Sequence, residues 1–265
     1  LKMKNQNYIS QQSRCLMSAL LRLIILMFTL SRCSSWTIIP DRIAAPSLTV
    51  ASARQDDFDF SSVLGWDQYY KCKDIIHDKS YITEWHNSIA FDEILKYISP
   101  GSSCLIVGCG VSRLPRAIYD AHKIDGIDNP TKIVCFDSSK ECLEQLKTQF
   151  PSPLPDSIDL VCGDVLNLTN VLDGATSSNT LFDIIIDKGL LDALLCGEGW
   201  NGPVESFMRE SIAVMKPGSQ YLLISYPLPK STQTFLQDVT KSKLQWQFRM
   251  EGGNSRVQLS IATCH

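Results

Sequence analysis

Short apolar runs alternate with amphipathic segments along most of the chain, which is the pattern of a layered α/β protein. Residues 88–98 carry apolar side chains at helical spacing, and Pro100-Gly101 ends that helix. A further helix is predicted around residues 207–215. Each of five runs fits a buried parallel strand. The predicted strands are residues 104–107, 132–136, 158–162, 182–186 and 221–226.

Cap signals and a terminal hairpin complete the predicted architecture. Ser112 is placed to cap a helix that has Pro115 in its first turn, and Ser138 with Glu141 forms a capping-box pattern. Two apolar runs near the end flank a Glu-Gly-Gly-Asn turn and predict an antiparallel hairpin at the sheet edge. We therefore predict a Rossmann-like fold, with a mostly parallel sheet and helices on both faces.

The first sixty residues differ from the rest of the chain. Up to Arg54 there are seven basic residues and one acid, Asp41, and Ser and Ala are abundant. The apolar stretch 16–30 is interrupted by Arg22 and is shorter than the roughly 20 residues that span a bilayer. We interpret residues 1–60 as a targeting leader or disordered segment and residues 61–265 as the folded domain.

Two other interpretations of that segment stay open, a membrane anchor and an upstream reading-frame artefact. A leader would indicate an organelle, meaning plastid, mitochondrion or the secretory route, with the cytoplasm as the alternative. Membrane contact is expected only through this leader, if it is retained.

Composition narrows the classes of ligand. A net charge of −3 and a pI near 5.8 argue against nucleic acid, whose binding needs clustered Lys and Arg. The ten cysteines include no Cys-x-x-Cys pair, so we expect no zinc site and interpret those in apolar runs as buried hydrophobes. The four histidines have no ligand-like spacing and are expected to be solvated or capping residues.

Glycines and acids follow the predicted strands at the positions where a parallel sheet binds a nucleoside. Gly108 and Gly110 form a turn after the first strand, and Asp137 ends the second, where a carboxylate can take ribose hydroxyls. Asp164 and Asp187 follow the third and fourth strands. Any one of these acids could equally be a helix cap, but all three together with a glycine turn favour an adenosine-containing cofactor.

S-adenosylmethionine fits the turn better than NAD does. A dinucleotide site needs a third glycine for close packing of its helix, whereas here the two glycines are followed by Arg113. A nucleotide-dependent oxidoreductase is therefore the disfavoured alternative.

Two strings, residues 105–112 and 182–193, resemble the class I methyltransferases that modify eukaryotic elongation factor 1 alpha (eEF1A). Those enzymes carry Gly-Cys-Gly-Asn-Ser and an acid followed by Lys-Gly-Thr-Leu-Asp-Ala. The segments 66–70 and 84–85 also resemble that family, and the similarity spans residues 65–226. Val111 replaces the family's Asn and Leu190 its Thr, so we expect cofactor binding to survive while the substrate choice stays open.

The resemblance implies S-adenosyl-L-methionine as the cofactor and assigns residues to it. Three aromatic residues would close over the cofactor, the glycine turn would line its methionine end, and acids would hold its ribose and adenine. An aromatic face also attracts a sulfonium cation. The predicted cofactor-binding residues are Trp66, Tyr70, Trp85, Gly108, Gly110, Asp137, Ser138, Asp164, Val165 and Lys188.

The predicted activity is methyl transfer, by an in-line displacement that needs no metal. The resemblance implies a protein lysine of elongation-factor type as the acceptor. Asp187 is the candidate that orients the acceptor amine, and Tyr226 is a second candidate for lining its channel. The sequence is also compatible with a small-molecule methyltransferase of an organelle and with a cofactor-binding partner protein that has no turnover. It leaves the oligomeric state open.

Overall fold

The computed structural model describes residues 62–71, 84–123, 130–176, 181–250 and 257–265. The predicted leader, residues 1–60, lies outside these ranges, so the domain division stays a prediction. Among the described residues, no helix has both the length and the apolar character that a membrane span requires.

Seven strands form one sheet in the order β3-β2-β1-β4-β5-β7-β6. The first five strands of that order pair in parallel, and β7 pairs antiparallel with both β5 and β6. This confirms the predicted sheet with its antiparallel hairpin. The strands are β1 Ser103–Val107, β2 Lys132–Asp137, β3 Ile158–Cys162, β4 Phe182–Lys188, β5 Met215–Ser225, β6 Leu244–Met250 and β7 Gln258–Cys264.

Helices cover both faces of this sheet because neighbouring strand residues point to opposite sides. In β1, Leu105 packs with one buried cluster and Ile106 with the other. The described helices are α1 Val63–Lys71, α2 Phe91–Leu95, α3 Leu114–His122, α4 Lys140–Lys147, α5 Leu168–Ala175, α6 Leu190–Cys196, α7 Asn201–Ala213 and α8 Lys230–Thr240, with a 3-10 turn at Val165–Asn167. Helices α5 to α8 cover the Leu105 side, and α2 to α4 cover the other.

Three local predictions are corrected by the structure. Helix α7 ends at Ala213 instead of continuing to 215, and β5 already begins at Met215. The pairing of β4 with β5 is irregular there, which accommodates Pro217-Gly218 within the strand. The first predicted helix is α-helical only from Phe91 to Leu95, and one further turn of i→i+3 bonds extends to Ile98.

The third correction concerns the cap of α4. Ser139, and not Ser138, accepts the Cys142 amide at 3.3 Å through its hydroxyl. Strand β2 runs one residue further than predicted, to Asp137, and this moves the start of the helix along by one residue.

The buried core on the α7 side of the sheet can be tested at Phe207, a side chain with no exposed surface that packs edge-to-face on Tyr221. We expect Phe207→Ala to lower the free energy of unfolding by about 3–5 kcal/mol, because it removes a buried ring and leaves a cavity. Urea unfolding measures this change. Leu64→Ala, at a side chain that is 64% exposed, is the control and should change stability by less than about 0.5 kcal/mol. Equal losses in the two variants would contradict the assignment of this core.

Candidate functional site

The turn after β1 brings backbone close to two neighbouring side chains. Gly108 and Gly110 have φ of +59° and +53°, a region that glycine adopts without strain. A Cβ at Gly108 would lie 2.9 Å from Cβ of Leu190, and one at Gly110 would lie 2.8 Å from the Tyr70 hydroxyl. Both glycines are therefore required by backbone conformation and by space.

Asp137 fastens this turn to the end of β2. Its Oδ2 accepts the Gly110 amide at 2.9 Å, and its Oδ1 accepts the Ser139 amide at 3.0 Å. Burial raises the pKa of the Asp137 carboxyl, while these backbone hydrogen bonds act in the opposite direction. A carboxylate has about four acceptor positions, and the Gly110 and Ser139 amides occupy two of them.

Ser139, whose amide donates to Asp137, also connects this carboxylate to α1 through its hydroxyl. Its hydroxyl donates to Oδ1 of Asp67 at 3.0 Å, and Lys71 pairs with the same carboxylate at 2.5 Å. The Lys71 ion pair is the main cause that lowers the pKa of Asp67. Ser138, the predicted ribose-binding residue, is half-buried beside this cluster, and its role stays a prediction.

The predicted aromatic residues lie together beside the glycine turn. Trp66 stacks on Tyr70, with ring centroids 6.1 Å apart, and meets Trp85 edge-on at 6.0 Å. The Gln145 side-chain amide donates to the Tyr70 carbonyl at 2.6 Å, which holds α1 against α4. The structure thus brings together a tryptophan and tyrosine of α1 with a tryptophan of the later 84–85 segment.

Asp164 and Val165 follow β3, beside the end of β2. The Gly163 amide donates to the Asp137 carbonyl at 3.0 Å, which ties the two strand ends together. Asp164 is exposed and its Oδ1 accepts the Leu166 amide at 2.9 Å, so it caps the 3-10 turn. Val165 is buried. The helix-cap interpretation thus holds for Asp164, and its adenine contact stays a prediction.

Asp187 has no exposed surface, and its carboxylate is bonded by the protein itself. Oδ1 accepts the Leu190 amide at 2.9 Å, the Leu191 amide contacts both oxygens at 3.2 Å, and the Tyr221 hydroxyl donates to Oδ2 at 3.0 Å. Burial raises the pKa of Asp187 to about 7. These contacts make Asp187 a support for the first turn of α6, and its predicted role in orienting the acceptor stays a prediction.

Lys188 joins β4 to the segment that carries Trp85. Its ammonium donates to the Trp85 carbonyl at 2.6 Å and is ion-paired with Glu84. Burial lowers the pKa of Lys188, and the Glu84 carboxylate opposes that shift. Only 8% of the Lys188 side chain is exposed, so its observed role is to anchor Glu84 and Trp85 rather than to reach solvent.

Glu84 also caps the helix that follows the glycine turn. Its Oε2 accepts the Arg113 amide at 2.9 Å, and its Oε1 accepts the Ser112 hydroxyl at 2.8 Å. Ser112 in turn accepts the Leu114 amide at 3.1 Å, but the N-cap of α3 is Arg113, so the predicted cap lies one residue too early. The N-terminus of α3 is therefore already occupied by a carboxylate of the protein.

Sequence reasoning missed His86, whose side chain is only 2% exposed. The expectation that the histidines are solvated or capping residues is wrong for it. Its Nε2 lies 2.8 Å from Oδ2 of Asp192, and its ring meets Tyr226 edge-on at 4.8 Å. The two partners are 106 positions apart in sequence, so no local spacing could have paired them.

In the part of the chain that the structure describes, no group of three or more His, Cys, Asp or Glu side chains is arranged to hold a metal ion. The site instead consists of a glycine turn, a buried carboxylate and an aromatic group at the carboxyl ends of β1, β2 and β4. With the observed strand order, these features define a class I methyltransferase fold.

Comparison with known proteins gives the same class, although no family model matches the chain. The chain is 29% identical over 171 residues to the eEF1A lysine and N-terminal methyltransferase of Bos taurus, covering 63% of this chain and 22% of that protein. It is 25% identical over 208 residues to EEF1A lysine methyltransferase 4 of Mus musculus, covering 74% and 71%. Against the first of these relatives, the chain therefore spans about a fifth of the relative's length.

A solved structure from a study of the conversion of a disulfide bond into a thioacetal group during echinomycin biosynthesis has the same fold. Its TM-score is 0.51 at 14% identity, over 77% of this chain and 93% of that one. The predicted fold and the predicted resemblance to the eEF1A lysine methyltransferases are thus confirmed. S-adenosyl-L-methionine is the cofactor of that class.

The glycine turn gives a direct test of cofactor binding. We expect Gly110→Ala to weaken S-adenosylmethionine binding about tenfold or more, because the new methyl group meets the Tyr70 hydroxyl and the φ is unfavourable by about 1–3 kcal/mol. Isothermal titration calorimetry measures the affinity. Gly174→Ala is the control, since a Cβ there meets nothing within 4 Å. Unchanged affinity in Gly110→Ala would show that the cofactor does not lie against this turn.

The buried Asp187 predicts a pH dependence of stability. Its pKa of about 7 in the folded protein exceeds the unfolded value near 3.9, so its stabilising contribution is present below about pH 4 and is lost as the pH rises through 7. Chemical unfolding of wild type and Asp187→Asn should therefore show the wild type losing stability relative to the variant, on the order of a few kcal/mol, between pH 5 and 8. Exposed Asp238→Asn is the control. Parallel pH curves for wild type and Asp187→Asn would contradict the assignment.

Proposed function

We propose that the chain is an S-adenosylmethionine-dependent methyltransferase that acts on a protein lysine, with eEF1A or a related elongation factor as the substrate class. The observation that carries this proposal is the buried Asp137 carboxylate, which is held by the Gly110 and Ser139 amides at the tip of β2. A carboxylate fixed in this way has capacity for the two hydroxyls of a ribose.

The substrate class is supported by the relatives. Both are named for methylation of eEF1A lysines, and the second is matched over most of its own length. The acidic net charge of the chain fits a basic lysine-containing protein better than it fits a polyphosphate backbone.

When bound, S-adenosylmethionine supplies an electrophilic methyl group on a sulfonium cation. The chain's own residues bind and orient it. Asp137 would hold the ribose, the backbone of Gly108 and Gly110 would approach the methionine end, and Asp164 with Val165 would meet the adenine. Trp66, Tyr70 and Trp85 would offer aromatic faces to a cation and exclude water.

Lys188 and Glu84 contribute by fixing one of those aromatic residues. Because Lys188 bonds the Trp85 carbonyl and Glu84 bonds the start of α3, the segment is attached to the ends of both β4 and the glycine turn. An active site held in this way loses little entropy when the cofactor binds.

A dinucleotide is disfavoured by Glu84 as well as by the absence of a third glycine. In a dinucleotide fold the pyrophosphate lies at the N-terminus of the helix after the glycine turn. Here the Arg113 amide and the Ser112 hydroxyl at that position are bonded to Glu84. A pyrophosphate would have to displace this carboxylate and would be repelled by it.

The proposal is tested with purified protein, tritiated S-adenosylmethionine and eEF1A. We expect label on an eEF1A lysine, and we expect Asp137→Asn to weaken S-adenosylmethionine binding about tenfold or more, because an amide accepts fewer hydroxyl donors than a carboxylate does. Calorimetry gives the affinity, and mass spectrometry locates the methyl group. Asp173→Asn, at an exposed position of α5, is the matched control.

The outcomes separate the two parts of the proposal. Failure of the wild type to bind S-adenosylmethionine would overturn the enzyme class. Binding without label on eEF1A would overturn the substrate class, and a labelled band of another mass in a cell extract would then identify the acceptor.

A further inference from the structure

The order of the strands gives the proposed cofactor a direction across the sheet. The carboxyl ends follow each other as β3, β2, β1, β4 and β5, and the residues proposed for adenine, ribose and the methionine end follow β3, β2 and β1 in that sequence. Under the proposed function the reactive methyl group therefore lies toward β4. A side chain that binds the acceptor lysine is expected at the tips of β4 and β5.

Asp192 lies between these two tips. It belongs to the first turn of α6, which follows β4, and its Oδ2 accepts the amide of Tyr226, the residue directly after β5, at 3.3 Å. Leu190, two positions earlier, packs on the glycine turn, because a Cβ built on Gly108 would lie 2.9 Å from its own Cβ. Asp192 is thus beside the turn that is assigned to the methionine end.

The two carboxylate oxygens of Asp192 differ in their contacts. Oδ2 accepts the Tyr226 amide and lies 2.8 Å from Nε2 of His86, whereas Oδ1 has no hydrogen-bond partner within the described ranges. Enclosed side-chain polar atoms without a partner do occur among the described residues, and Oδ1 of Asp192 is not one of them. Since 19% of the side chain is also exposed, Oδ1 is open to a ligand.

Asp187, which the sequence predicts to orient the acceptor, has no such oxygen. It has no exposed surface, and both of its oxygens accept bonds from the first turn of α6, while Oδ2 also accepts the Tyr221 hydroxyl. An amine could reach Asp187 only by displacing one of these donors. Of the two carboxylates that follow the β4 tip, Asp192 is the one with an available acceptor atom.

The surroundings of Asp192 favour a cationic ligand. Burial raises the pKa of its carboxyl, while the contact with His86 and the Tyr226 amide act in the opposite direction. Asp187 is near enough for the two carboxylates to affect each other. A positive charge brought close to such a carboxyl favours its ionised form, and the attraction is strong because water is largely excluded.

We propose that Asp192 binds the acceptor lysine, that its Oδ1 accepts a hydrogen bond from the lysine amine, and that this bond aims the nitrogen lone pair at the sulfonium methyl group. The contacts of Oδ2 with Tyr226 and His86 hold the carboxylate in one orientation. This inference rests on the proposed function. It assigns the acceptor-orienting role to Asp192 instead of Asp187.

Protons, charge and electrons balance in the transfer. The lysine first releases one proton to water, and the neutral amine binds next to Oδ1. Its lone pair forms the new N–C bond while the C–S bond of the sulfonium breaks and leaves its electrons on sulfur. The positive charge thus moves from sulfur to nitrogen, where the Asp192 carboxylate stabilises it as it develops. The product leaves as a methylammonium.

Asp192→Asn is the decisive variant, because the two side chains have nearly the same shape. The amide oxygen can keep both contacts of Oδ2, and the NH2 group then stands in place of Oδ1 and cannot accept a hydrogen bond from the amine. We expect kcat on eEF1A to fall about 100-fold in initial-rate measurements. S-adenosylmethionine affinity should be unchanged in calorimetry, since the cofactor residues are not altered.

Asp183→Asn is the matched control. Asp183 is also half-buried and also bonds through Oδ2, which accepts from Ser103 and Lys216 at the amino end of β4, the opposite end from the site. This variant should keep the wild-type kcat even where its stability falls. A wild-type kcat in Asp192→Asn would overturn the proposal, and so would equal losses of kcat in the two variants.

Binding to the wild-type enzyme tests the same hydrogen bond without turnover. The enzyme is loaded with S-adenosylhomocysteine and titrated with eEF1A, and then with eEF1A whose methylated lysine, located by mass spectrometry, is changed to methionine. We expect the lysine form to bind about tenfold more tightly, because it offers a charged donor to Oδ1. Asp192→Asn should lose most of this difference. Equal affinities in the wild type would overturn the proposal even if Asp192→Asn does not fold.

Failure of the proposed function gives a different result from failure of the Asp192 assignment. A wild type that does not bind S-adenosylmethionine, or that binds it and leaves eEF1A unlabelled, overturns the proposed function and this inference with it. If the Asp192 assignment alone is wrong, the wild type still binds the cofactor and labels eEF1A, and Asp192→Asn does so at the same rate.

Discussion

The site depends on one hydrogen-bonded junction, in which the Asp137 carboxylate at the end of β2 accepts the Gly110 amide from the turn after β1. Parallel strands bring their carboxyl ends to one edge, and this bond, together with the Cys109 amide that donates to the Phe136 carbonyl at 3.1 Å, fixes the position of the turn against the end of β2. Because Gly110 has no side chain, the Tyr70 hydroxyl can lie directly above it. The turn, the carboxylate and the aromatic helix therefore form one rigid unit.

Strand-end acids illustrate what the sequence could and could not specify. All three acids lie at the predicted tips, because alternation of apolar strands and helices determines which residues end a strand. The contacts that each carboxylate makes depend on how deeply it is buried. Asp137 keeps acceptor capacity, Asp164 caps an exposed turn, and Asp187 is wholly enclosed under α6. A linear pattern contains no information on that difference.

The strands were predictable, since buried parallel strands have a strong apolar signal, and the roles of the predicted site residues stay predictions. The His86 and Asp192 pair was not, because it joins a loop to a helix through chain folding alone. The start of β5 at Met215 could not be predicted from the sequence for a different reason. Its Pro217-Gly218 is typical of a turn, and Gly218 does have a φ of +80°, but pairing with β4 at Met215 and again from Gln220 includes this irregular stretch in the strand.

Glu84 has a consequence for how substitutions combine. Its single carboxylate is shared by Ser112, at the start of a helix, and by Lys188, at the end of a strand. Removing either partner changes the solvation and position of the acid that the other still needs. The changes in free energy of unfolding caused by substituting Ser112 and Lys188 will consequently not be additive. The difference from additivity measures the energetic coupling that the Glu84 carboxylate creates between the glycine turn and β4.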